Sequence, residues 1–202
     1  KTVKNSGWPT TRSELFEQSC TALVAEENEM HGSLSGSVRP ASDVLLQAAG
    51  FVCAQLLLSG TGSIAVDGAS TELQKNATDF ASEAFDAAII RQALATKIFR
   101  AAGHNTVEPC HRTVAEYLAA RWLANALSGQ LSLTRLEALL YGNDYIVPSA
   151  LRGLHAWLAT LSPNIAKTLV TRDPYGFFRY GDAATLNLDQ AHAGTVYRRC
   201  PL

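Results

Sequence analysis

The side chains best suited to chemistry in this sequence are five histidines and four cysteines, scattered along the chain. They are His31, His104, His111, His155, His192, Cys20, Cys53, Cys110 and Cys200. They form no C-x-x-C pair and no histidine cluster, which argues against a zinc site. The patterns G-x-x-x-x-G-K-[ST], G-x-S-x-G and H-E-x-x-H are also missing from the sequence. We therefore predict no catalytic residue and no metal site, and we do not expect this segment to be an enzyme.

Composition indicates a folded and mainly helical protein. The chain has 202 residues, of which 47% are hydrophobic and 17% charged, and its formal net charge is −1. That apolar fraction excludes a disordered chain, and the length allows one or two compact domains. Leucine and alanine dominate and aromatic residues make up only 8%, which favours helices. Nucleic acid is not an expected partner, because a near-neutral chain lacks the surplus of Lys and Arg that phosphate contacts need.

Cysteines and apolar runs bear on where the protein resides. Cys20 and Cys53 lie in apolar helical runs, which is typical of small core residues in a reducing compartment. The longest apolar run, around Phe51–Leu58, is too short to span a bilayer, and the sequence shows no signal peptide. We therefore expect a cytoplasmic protein without a membrane partner. Because the chain starts at Lys1 without methionine, we also expect a piece of a longer polypeptide.

The first half of the chain combines helical patterns with a hairpin signature. Apolar spacing predicts helices and a short strand. They cover residues 10–28, 42–59 and 79–95, with the strand at 63–66. Polar and apolar residues alternate on both sides of the turn Ala102-Gly103-His104-Asn105, which indicates a β-hairpin. Helices followed by a hairpin favour a winged-helix-like domain at residues 39–111, preceded by the end of a helical subdomain at residues 1–38.

The second half is predicted to be helical. The helical patterns cover residues 113–127, 131–140 and 148–161, with further helices after Ser162-Pro163 and Asp173-Pro174. His155 is expected on the solvent side of its helix. Short helices with one apolar stripe must stack to bury it, so residues 112–202 are assigned to a helical domain with a HEAT-like start. The predicted fold class is mainly α: a winged-helix-like unit with a short β-hairpin, followed by a helical bundle or the start of an α-solenoid.

One stretch, at the boundary of these two domains, is more specific than the rest. Residues 110–123 read CHRTVAEYLAARWL. The stretch resembles the H-x-[ST]-x-x-E-[YF]-L-A-A signature of NACHT-type STAND NTPases, which are multidomain signalling ATPases. In that family the signature closes the winged-helix domain and begins a helical domain. Residues 8–16, WPTTRSELF, are similar to the P-x-x-R-x-x-L-[YF] segment after the NTPase core, and residues 148–182 to the HEAT-like start of bacterial members.

The resemblance implies a role for His111. Members of the family use the signature histidine to touch the β-phosphate of bound ADP, which holds the closed and inactive state. ADP or ATP would then be the cofactor of the intact protein, held by the NTPase core of the same polypeptide, with none held by this segment alone. Such a role suits the position of His111 before a helix start, where N–H groups favour anions. From the residues alone, the alternative is that His111 only caps the helix or bonds to backbone.

Other residues of the signature have structural interpretations. Glu116 can pair with Arg112 one turn earlier or act across an interface. Tyr117 and Trp122 are expected in the core, and Arg121 is expected at the surface.

Outside the signature, Trp8 and Pro9 are expected to pack rather than to contact adenine. The chain departs from the family at Pro109, where relatives often carry an aromatic residue. Walker motifs would lie before residue 1, so this piece is not expected to hydrolyse ATP.

The leading hypothesis is a regulatory, non-catalytic segment of a STAND NTPase. It would sense ADP and couple the nucleotide state to C-terminal repeats, where a protein trigger or an oligomer partner binds. A winged-helix DNA-binding regulator is a second hypothesis, although helix 79–95 sets only Arg91 against three acids, Asp79, Glu83 and Asp86. A helical scaffold that binds protein partners through its C-terminal repeats is a third.

Overall fold

The computed structural model describes residues 8–26, 39–68, 75–129, 131–142 and 144–185. Helices account for 64% of these residues and strands for 8%, which confirms the prediction of a mainly helical protein. In chain order the elements are α1 (Arg12–Ala25), α2 (Ser42–Ser59), β1 (Ile64–Ala65), α3 (Ala87–Leu94), β2 (Phe99–Gly103), β3 (Thr106–Pro109), α4 (Arg112–Leu127), α5 (Leu133–Leu140), α6 (Arg152–Leu161), α7 (Pro163–Arg172) and α8 (Pro174–Tyr180). Short 3₁₀ helices cover Ala77–Phe80, Ser149–Leu151 and Ala183–Thr185.

α2 is the apolar centre of the first half and packs against α4, α3 and α1. Gly50 lets α4 approach closely, because a Cβ there would lie 2.7 Å from the Leu118 carbonyl oxygen. Gly60 ends the helix in the left-handed region, with φ of 71°, where glycine carries no steric penalty. By length and composition α2 could cross a membrane, with a mean hydropathy of 1.4, but half of it is buried in the fold. Core helices of soluble proteins share these properties, so the finding is weak evidence for a membrane span.

The predicted helix over residues 79–95 is wrong, because two shorter elements replace it. Asn76 caps the 3₁₀ helix Ala77–Phe80, and its side chain accepts a hydrogen bond from the Thr78 N–H at 2.8 Å. The chain then bends between Ser82 and Phe85 and reaches Asp86, whose carboxylate accepts from the Ile89 N–H at 2.8 Å and starts α3. Each capping side chain satisfies free backbone N–H groups at the start of its own helix. The sequence therefore forms two short helices in place of the single long one predicted.

The hairpin and the short strand before it are both predicted, and in the structure they join in one small antiparallel sheet. β2 and β3 flank the turn at His104 and Asn105, and Asn105 has φ of 56°. β1 pairs with the outer side of β3, so the strand order is β1-β3-β2. The sheet thereby places Cys110 and His111 directly at the start of α4.

α6 is the centre of the second half and contacts α4, α7 and α8. The prediction that His155 faces solvent is wrong, since its side chain is fully buried and its Nε2 lies 3.2 Å from the Tyr141 hydroxyl. Helices pack on several sides of α6, so a single apolar stripe does not describe it. Asp173 begins α8 as predicted, and its carboxylate accepts from the Gly176 N–H at 3.0 Å.

Candidate functional site

His111 lies at the junction between the β-hairpin and α4. It occupies the N-cap position with extended backbone, φ −146° and ψ 137°, and its side chain is exposed and makes no capping hydrogen bond. The interpretation of His111 as a side-chain cap is therefore wrong. A backbone bond from the Cys110 N–H to the Ile98 carbonyl, 2.8 Å long, fixes the chain just before it. The backbone around His111 is therefore fixed, while its imidazole remains open to solvent.

A cleft of about 360 Å³ surrounds this junction. The end of α2, the hairpin and the first turn of α4 enclose it. Its lining residues are Leu56, Leu57, Thr61, Gly62, Arg100, Glu108, Pro109, Cys110, His111, Arg112 and Ala115. The end of α2, which is distant in sequence, therefore meets the hairpin and the start of α4 around His111.

The two arginines of the cleft are already engaged by carboxylates. Arg100 Nη2 lies 2.7 Å from Glu108 Oε1, and Arg112 Nε lies 2.9 Å from Glu116 Oε1. Arg112 also donates to the Ala150 carbonyl. Since no side chain caps α4, the imidazole and the first N–H groups of that helix are among the polar donors at the cleft. The arrangement can bind an anion.

Glu116 and Arg112 form the predicted pair, in which the carboxylate is buried while the Arg112 side chain is 59% exposed. The Glu116 side chain is only 7% exposed, and burial raises its pKa while Arg112 opposes the rise. The carboxylate fits because residue 153 is glycine: a Cβ at Gly153 would overlap Glu116. Gly153 therefore ties the start of α4 to α6, and no local pattern marks it in the sequence.

The remaining signature residues lie mostly where the sequence places them. Tyr117 is buried and Trp122 is partly buried, both in the core. Arg121 is 25% exposed and its Nε lies 3.1 Å from Glu17 Oε2.

Outside the signature, the packing role predicted for Trp8 is wrong. Trp8 lies before the first turn of α1 and is 89% exposed.

The other candidate groups form no reactive centre among the described residues. Cys20 and Cys53 are buried core residues as predicted, and burial raises the pKa of Cys20 to about 12. His104 is exposed at the hairpin tip. No group of three His, Cys, Asp or Glu side chains in the described ranges could hold a metal ion. His31, His192 and Cys200 lie outside those ranges.

Comparison of the chain with models of protein families, with curated proteins and with solved structures finds no match. Function must therefore be argued from the residues and geometry of this chain.

Proposed function

We propose that this chain is a regulatory, non-catalytic segment of a cytoplasmic STAND-type signalling NTPase, and that it senses ADP held by the NTPase core of the same polypeptide. The observation that carries the proposal is the open imidazole of His111 at the uncapped start of α4. The cofactor, ADP or ATP, belongs to the intact protein. This segment contributes a contact to it and performs no chemistry.

The order of elements supports a winged-helix-like unit in the first half. α2, β1, the 3₁₀ helix Ala77–Phe80, α3 and the hairpin follow one another in sequence. β1 joins the hairpin as a third strand, in the order β1-β3-β2. This is the order expected of a winged helix whose second helix is reduced to one short turn. α5 to α8 then begin the solenoid.

The chemistry of the cleft suits a phosphate oxygen. His111 and Arg112 both line the cleft, which places an imidazole N–H and the start of α4 beside the same space, and the helix dipole favours negative charge there. A hydrogen bond to a charged phosphate contributes about 1.5–3 kcal/mol, enough to bias a two-state equilibrium by about tenfold or more.

Packing provides a route from His111 to the C-terminal helices. α4 packs along both α2 and α6, and Glu116 fills the space above Gly153. A displacement at the start of α4 is therefore passed to α6 as a rigid movement. We propose that contact with ADP fixes α4 against the core. Loss of that contact lets the segment swing away and presents the C-terminal helices to a protein trigger or an oligomer partner.

The test is His111→Ala in the intact polypeptide, with retention of bound ADP as the readout. We expect ADP to dissociate about tenfold faster or more, because one charge-assisted hydrogen bond is lost. His104→Ala is the matched control, since His104 is equally exposed but lies at the hairpin tip. Equal ADP retention in the two variants, with unchanged basal activity, would reject the sensor role.

The DNA-binding alternative has less support from the described residues. Arg91 is the basic residue of α3, and its Nε lies 3.2 Å from Asp67 Oδ1. Glu83 and Asp86 are exposed beside it and would repel phosphates. We expect no duplex binding in a gel shift at low salt, and salt-sensitive binding would restore this alternative.

A protein-binding scaffold is favoured by large exposed side chains in the second half. Tyr145, Ile146 and Tyr175 are 61%, 60% and 51% exposed. Aromatic and aliphatic side chains of this kind dominate protein interfaces. If a trigger protein binds the intact polypeptide through these side chains, Tyr175→Ala should reduce the amount of trigger protein captured. Unchanged capture would show that the trigger binds another surface.

A further inference from the structure

Two segments that are 169 residues apart meet at the first turn of α1. The Ser13 N–H donates to Asp182 Oδ2 at 2.7 Å, so a residue after α8 supplies an acceptor at the start of α1. Next to it, Arg12 Nη1 donates to the Gly181 carbonyl at 3.0 Å. One side of this contact lies in the P-x-x-R segment and the other at the end of the HEAT-like stretch, residues 148–182. The proposed nucleotide site uses neither.

The receiving side of this contact is rigid. Asp182 is only 4% exposed, and its N–H donates to Thr160 Oγ1 at 3.0 Å, which anchors it to α6. Its second carboxylate oxygen accepts from the Ala184 N–H at 3.2 Å. The Asp182 carboxylate is therefore held in its orientation by residues outside α1.

The contact also covers a buried indole. The Arg12 guanidinium carbon lies 5.1 Å from the centre of the Trp157 ring, and the Phe16 ring lies 4.8 Å from the same ring. Trp157 has no exposed surface. Removing the first turns of α1 would therefore uncover part of Trp157.

The two halves of α1 are held in different ways. Its fully buried side chains, Cys20 and Val24, both lie in the second half. Glu17 marks the middle, where its carboxylate accepts from the Tyr117 hydroxyl at 2.7 Å. The first half depends on the Arg12 and Asp182 contacts and on the partly buried ring of Phe16. A segment with few buried apolar side chains opens at a low free-energy cost.

We propose that residues 8–16 form a strap over Trp157, latched by Arg12 and Asp182, that opens and closes while the second half of α1 stays in the core. Residues 1–7 join the strap directly, so a displacement of the preceding segment acts first on the latch. Opening would free α6 and the end of α8 from α1. The strap goes beyond the proposed nucleotide sensing, because it operates without His111 and without ADP.

The test uses the whole chain with Trp8→Phe, so that the exposed Trp8 does not mask the buried indole. The partly buried Trp122 stays in every variant and adds the same background to each quenching curve. Arg12→Ala and Asp182→Ala are then compared with this parent. Acrylamide quenching of tryptophan fluorescence should rise about twofold, and hydrogen exchange at residues 13–16 should quicken about tenfold or more, with residues 20–25 unchanged. Arg12→Lys and Asp182→Asn, which keep part of the latch, should give intermediate values.

Gln18→Ala is the control, because Gln18 is exposed on α1 just beyond the strap, and it should leave both readouts unchanged. His111→Ala should also leave them unchanged, so failure of the nucleotide sensor and failure of the strap are separable. Quenching and exchange equal to the parent in the latch variants would overturn the strap. So would a loss of protection that extends through all of α1 and α2, because the first half of α1 would then not move separately.

Discussion

The fold should lose stability as the pH falls from 6.5 to 4, because His155 is buried as a neutral group. Its Nε2 lies 3.2 Å from the Tyr141 hydroxyl, and its Nδ1 has no hydrogen-bond partner among the described residues. Burial lowers the pKa of His155 from 6.5 to about 4, although the charge of Asp173 opposes the change. The unfolded chain therefore binds a proton in this interval that the folded chain excludes.

The size of the effect follows from these pKa values. A change from 6.5 to about 4 corresponds to about 3 kcal/mol of unfolding free energy. This contribution of the neutral, buried His155 to the unfolding free energy is fully present above pH 6.5, and it is lost progressively as the pH falls to 4. Glu116 acts in the opposite sense, since burial raises the pKa of its carboxyl and acidification then favours the folded state.

The assay is urea unfolding followed by far-UV circular dichroism, for the natural chain and for His155→Gln, from about pH 7.5 to about pH 4.5. Glutamine keeps a polar group for Tyr141 and gains no proton, and comparison at each pH cancels the contribution of Glu116. Over this pH range the unfolding free energy of the natural chain should fall by about 2–3 kcal/mol more than that of the variant. Parallel curves for the two proteins would refute the reasoning.

Two further predictions concern packing and capping. Gly153→Ala should destabilise the fold by about 1–3 kcal/mol in urea unfolding, because the new Cβ would overlap Glu116. Gly62→Ala is its control, as no atom lies within 4 Å of a Cβ there, and an equal loss in both would contradict the proposed overlap. Asp86→Ala should lower the unfolding free energy by about 1 kcal/mol, because the Ile89 N–H loses its acceptor. Hydrogen exchange should become faster first at the start of α3. Unchanged exchange there would show that the cap does not hold α3.

Local signals in the sequence account for much of the fold. α2 is predicted at its observed bounds because its apolar run ends at Gly60, which takes the left-handed conformation. The hairpin is predicted because Gly103, His104 and Asn105 supply turn residues between alternating strands. His111 is predicted at the start of α4 for the same reason, since the hairpin and the Ala-rich helix have clear and adjacent patterns.

What the sequence does not reveal depends on contacts between distant segments. The burial of His155 results from several helices packing around α6, which a single helical stripe cannot indicate. The contact of Ser13 with Asp182 spans 169 residues, and neither residue has a local pattern that names its partner. Trp8 is expected to be buried because its side chain is large and apolar, but it is exposed. No element of the described fold covers it.

The most direct test of nucleotide sensing is an experimental structure of the intact polypeptide with ADP bound. The account predicts that a ring nitrogen of His111 lies about 3 Å from an oxygen of the β-phosphate, with the first turn of α4 pointing at the same group. A structure with ADP bound and the His111 cleft facing away from the nucleotide would contradict it.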